Sequence, residues 1–115
     1  MTLDEFRREM ISYRQAVDDE AKSFKDPHIA LERLCALYRK FDASERQMAD
    51  RVLCEWTVSE NKGLRFDARW IADELKIVAV LPALQELATR LASRTSAGTA
   101  DELETVTKII EDLKK

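Results

Sequence analysis

Apolar residues recur in steps of three and four from Leu3 to Leu113, and no stretch alternates in steps of two. That period draws one apolar stripe along each helix and leaves no pleated face for a sheet, which confines the chain to helix-on-helix packing. The punctuation agrees, since 115 residues contain only two Gly and two Pro. Few positions therefore break a helix. At 13.3 kDa the chain has the size of one domain, large enough to bury a core without staples. The expectation is a single all-α domain over residues 1–115. About six helices should form antiparallel helical hairpins, as a short α-solenoid or an irregular orthogonal bundle.

Start signals separate the helices. Thr2 and Glu5 have capping-box spacing and open a first helix reaching about Phe24. Its apolar residues Leu3, Phe6, Met10, Tyr13, Val17, Ala21 and Phe24 fill an arc of roughly 80°, a narrow seam beside a charged face. Asp26 before Pro27 opens a second helix to about Lys40, whose wider stripe runs from Leu31 to Phe41. Asp42 and Glu45 repeat the box and start a third, to about Ser59, with Met48, Ala49, Val52, Leu53 and Trp56 inward. Ser59 to Gly63 reads as a polar loop. Asp67 reads as the N-cap of a short fourth helix ending near Lys76, with Phe66 and Ile71 at hydrophobic-staple spacing. A fifth spans about Ala79 to Ser93, with Pro82 tolerated in its first turn. Thr99 and Glu102 make a third box and open a last helix with Val106, Ile109, Ile110 and Leu113 inward.

Residues 68–91 read ARWIADELKIVAVLPALQELATRL: a helix, a tight turn, then a second helix opening on Leu-Pro-Ala-Leu. This resembles the helix-pair unit of HEAT-type repeats, over about a fifth of the chain. A second such opening does not follow at a period near 40, although three helix pairs suffice for a short stack. The resemblance implies partner binding through a layered helical surface rather than catalysis. The same residues also fit a helix-turn-helix, which would present Gln85, Glu86, Thr89 and Arg90 to DNA. One positive and one negative charge among the four suit phosphate contact poorly.

Charge and composition exclude several chemistries. Nineteen Lys and Arg stand against 22 Asp and Glu, a net charge of −3 spread evenly along the chain. Bulk attraction to nucleic acid or anionic membrane is not expected. The opening residues, among them Asp4, Glu5, Arg7 and Arg8, lack the apolar core of a signal peptide. The longest uncharged run, Ile77 to Gln85, is far short of the roughly 20 apolar residues of a membrane span. Cys35 and Cys54 show no Cys-x-x-Cys spacing and read as buried reduced thiols of a cytoplasmic protein. His28 is the one histidine, so a multi-His metal site cannot be assembled within one chain. Gly63 and Gly98 cannot build a phosphate loop, and Asp18, Asp19 and Glu20 diverge around their helix. No enzyme activity, cofactor or metal is expected.

What remains is a small helical protein that acts by binding another protein, as an adaptor or a bacterial immunity-like protein. Trp56 and Trp70 are the candidate anchors, with Asn61, Lys62 and Arg65 in the charged segment between them. The charged back of the first helix is a second candidate surface. Two other readings stand beside this one: a DNA-binding regulator using residues 68–91, and a structural homodimer pairing the narrow seam of the first helix with its copy.

Overall fold

A computed structural model describes residues 2–24, 28–94 and 98–115. The Asp26–Pro27 boundary and the Phe24 side chain lie outside the described residues. The chain is all-α: α1 (Leu3–Phe24), α2 (His28–Lys40), α3 (Ala43–Thr57), α4 (Lys62–Leu75), a 3-10 turn at Val78–Val80, α5 (Leu81–Ala92) and α6 (Thr99–Lys114). No strand occurs among the described residues. Two compact units, Met1–Val52 and Leu53–Lys115, divide within α3.

In the first unit α1 packs along α2. Phe6, Met10 and Val17 of the narrow seam are buried, as are Ala30, Leu31, Leu34 and Cys35 of α2. Leu3, Tyr13 and Ala21 of the same seam are half-buried. Phe6 and Phe41 stack with centroids 5.1 Å apart and planes inclined by 59°, a tilted geometry that suits the ring quadrupoles. Arg33 and Glu20 pair between α2 and α1. Both capping-box pairs interact, and the Thr2 hydroxyl donates to Glu5 Oε1 at 3.2 Å. The Glu5 amide donates to Thr2 Oγ1 at 3.2 Å, the Asp42 amide to Glu45 Oε1 at 3.1 Å and the Glu45 amide to Asp42 Oδ1 at 2.8 Å.

Tyr38 joins α2 to α3 by donating its hydroxyl proton to Asp50 Oδ1 at 2.8 Å, while the Arg46 guanidinium lies 5.5 Å from its ring centroid. Burial, then the hydrogen bond and charge of Asp50, push the Tyr38 hydroxyl up to about 12 from an ordinary 10, with Arg46 opposing. A raised value means that the folded chain holds this proton more tightly than the unfolded chain. The stabilisation is complete below pH 10 and is lost as pH rises toward 12. Denaturant midpoints measured across that window should fall in the wild type and fall less in Tyr38→Phe.

In the second unit α6 lies along α5 and touches α4. Leu84, Leu87 and Leu91 are buried, as are Val106, Ile109 and Leu113, together with Leu53, Trp56, Ala68, Ile71 and Val80. α4 departs from the expected boundary. It begins at Lys62, and Asn61 caps it by accepting the Leu64 amide at 3.1 Å. Gly63 is thus inside the first turn rather than at a helix exit, and Asp67 lies mid-helix. Both Asn61 and Asp67 are competent caps. The earlier one prevails because it brings Arg65 and Ala68 onto the buried face of the helix.

α6 departs too. Its N-cap is Gly98 at φ +84°, and Thr99 is the first helical residue. The Glu102 carboxylate, expected to partner Thr99, is held by Arg65 and Arg69 of α4. Tertiary charge outweighs the local capping pattern.

α4 ends on Lys76 in the left-handed conformation, φ 53° and ψ 52°, with its amide donating to Ala72 O. A Cβ strains that conformation and glycine does not. Lys76→Gly is expected to raise the unfolding free energy by about 0.5–1 kcal/mol, read as a higher urea midpoint. The exposed Lys76–Asp73 pair at 3.3 Å is too weak to reverse the sign.

Candidate functional site

The five residues expected to form a binding surface do not gather into one. Trp56 is 3% exposed and Arg65 is 7% exposed, so both belong to the interior of the second unit. Asn61 and Lys62 are exposed, and Trp70 is half-buried. Arg65 is also fully engaged. Its Nε donates to Glu102 Oε1 at 2.9 Å and its Nη1 to the carbonyls of Ser59 at 3.0 Å and Glu60 at 3.1 Å. It fastens α6 to the turn before α4 instead of offering itself to a partner.

Arg69 Nη1 reaches the same Glu102 Oε1 at 3.0 Å. Burial alone would raise the Glu102 carboxyl, but the hydrogen bond and charge of Arg65, with the charges of Arg69 and Lys62, hold it below the ordinary 4.5. Burial pushes the Arg69 guanidinium below its ordinary value, and the charge and hydrogen bond of Glu102 oppose the change. One carboxylate thus serves two guanidinium groups in a nearly dry site. The three side chains form a buried ion-pair cluster that joins α4 to α6.

Above the cluster opens a groove of about 400 Å³ between α4 and α6. Phe66, Arg69, Trp70 and Asp73 form one wall, and Thr105, Lys108, Ile109 and Asp112 the other. Phe66 is 44% exposed, and the Arg69 guanidinium sits 5.2 Å from its ring centroid, within cation–π range. Trp70 is legible as an anchor from the sequence, whereas Phe66 reads there as half of a hydrophobic staple. The signal was present: Phe66, Trp70 and Asp73, at steps of four and three, share a side of α4 distinct from the buried Ala68, Ile71 and Ala72.

A second groove, about 490 Å³, lies in the first unit between Phe6, Met10, Tyr13, Leu37 and Phe41 with Arg8, Glu9 and Glu45 at its rim. It is larger, but Phe6 and Met10 are buried. The α4–α6 groove alone of the two includes a large apolar side chain that stands well exposed.

Comparison with protein-family models, curated proteins and solved structures found no match to this chain.

The helix-turn-helix reading turns four α5 residues toward DNA. Gln85, Glu86 and Thr89 are exposed as expected, but half-buried Arg90 donates to Val58 O at 3.0 Å and to Glu86 Oε1 at 2.9 Å. His28 is exposed, Cys35 is buried and Cys54 is half-buried, its Sγ 3.5 Å from Ala79 O. Neither cysteine forms a disulfide. Among the described residues, no three His, Cys, Asp or Glu side chains cluster as metal ligands, and no helix is long and apolar enough to cross a membrane.

Proposed function

We propose that the protein works without catalysis, as a helical adaptor-type module that binds another protein chain through the α4–α6 groove. The observation that carries this reading is Phe66, 44% exposed beside half-buried Trp70 with Arg69 over its ring. Large aromatics and Arg are the residue types in which interface energy concentrates. A single exposed Phe is ordinary. An exposed Phe, a half-exposed Trp and a stacked Arg on the walls of one groove form a compact anchor. The HEAT-like resemblance belongs to the same reading, because α4, the 3-10 turn and α5 supply the helix pair at residues 68–91. A cytoplasmic setting also belongs to it, supported by two cysteines that form no disulfide.

The test is affinity capture from a native extract with the tagged wild type, Phe66→Ser and Trp70→Phe. Phe66→Ser should retain at least about tenfold less of the bound protein, while its thermal midpoint stays close to the wild type. Trp70→Phe, which preserves most of the packing, should show a smaller loss. Equal retention by all three folded proteins would rule the groove out.

A further inference from the structure

The groove of about 490 Å³ in the first unit is layered as small-molecule sites are, with an apolar interior and a few polar groups at its edge. Phe6 and Met10 are its buried residues. Tyr13, Leu37 and Phe41 are half-buried walls. Three of these five side chains are aromatic. Phe6 and Phe41, with centroids 5.1 Å apart and planes inclined by 59°, make a corner of rings rather than a flat wall.

The edge of the groove carries two carboxylates, Glu9 and Glu45, and one guanidinium, Arg8. Among the described residues no ion pair neutralises either carboxylate. Glu45 uses Oε1 to accept the Asp42 amide at 3.1 Å, and Glu9 accepts no hydrogen bond among the described residues. At about 100° per residue, Glu9 lies roughly 60° around α1 from Phe6, on the side of Tyr13. Arg8 lies roughly 160° from Phe6, which sets it at the outer lip. The charge nearest the rings is therefore negative, and ring faces are themselves negative. Both features attract the same species. We infer that this groove binds a small organic cation, an ammonium group carried on an apolar body. The body covers Met10 and Leu37, while the ammonium meets the ring faces and the two carboxylates. A neutral apolar ligand would strip water from the carboxylates and give them no partner in return. An anion would meet two like charges and one guanidinium. This site lies in the first unit and stands independently of the α4–α6 groove.

Titration of the full chain with benzyltrimethylammonium should give saturable amide NMR shifts at Phe6, Tyr13, Leu37 and Phe41. Its dissociation constant should lie at least about tenfold below those of N-benzylacetamide and phenylacetate. Those two probes keep the benzyl body and replace the cation by a neutral and an anionic head. Glu9→Gln combined with Glu45→Gln should weaken binding of the cation by about tenfold. Glutamine at position 45 can still accept the Asp42 amide, so the cap of α3 survives, and circular dichroism would establish that the variant remains helical. Arg8→Gln removes a like charge and should bind the cation equally well or more tightly. Phe66→Ser, in the other groove, should leave this binding unchanged. No saturable shift at the groove, equal affinity for the three probes, or unchanged binding by the double variant would overturn the inference. Weaker binding by Arg8→Gln would overturn it too, since the guanidinium would then be holding an anionic group of the ligand.

Discussion

Glu102→Ala is expected to lower the unfolding free energy by about 3–5 kcal/mol, because it strands two charged groups that water cannot reach freely. The Glu102 and Arg65 side chains are 7% and 8% exposed and that of Arg69 is 13% exposed. Substituting Arg65→Met as well should cost less than the sum of the single changes, since the two residues share one interaction. Urea unfolding of the four proteins would settle it, and simple additivity would contradict the pairing. The same carboxylate sets an acid dependence. Its folded value lies below the ordinary 4.5, so its stabilisation is complete above that pH and drains away as pH falls through the folded value. Glu102→Ala should lose that part of the acid dependence and keep the rest.

The two tryptophans should behave oppositely. Trp56 is 3% exposed, and Trp56→Ala empties a large volume in the core of the second unit, for an expected loss of about 3–5 kcal/mol. Trp70 stands on the groove wall, so Trp70→Phe should weaken binding with a much smaller effect on stability. Thermal melts paired with capture would separate these roles, and a neutral Trp56→Ala would contradict the burial assigned to it. A soluble quencher should reach Trp70 fluorescence and largely spare Trp56.

Where a helix is framed by its own neighbours, its ends could be read directly. Thr2 with Glu5 and Asp42 with Glu45 cap as spelled. Thr99 with Glu102 has the same spelling and a different outcome, because Arg65, 37 residues away, competes for the carboxylate. No local window contains that competitor. Asn61 and Asp67 posed a related problem: both can cap, and the choice depends on which start buries Arg65 and Ala68. Trp56 falls on the same apolar stripe as Val52 and Leu53, so its burial was legible, and its assignment as an anchor set that stripe aside. Phe66 went the other way. Once α4 begins at Lys62 instead of near Asp67, Phe66 sits within the helix and shares a wall with Trp70. One boundary shift thus hid the groove.

The Arg65–Glu102 link also constrains the order of assembly during synthesis. Two guanidinium groups emerge from the ribosome more than thirty residues before the carboxylate that neutralises them. Until α6 appears, a closed second half would trap uncompensated cations, so the nascent chain is held open and finishes its packing late. Stalling the ribosome before residue 102 should leave this half accessible to protease, and stalling beyond Lys115 with a tether long enough to clear the exit tunnel should protect it.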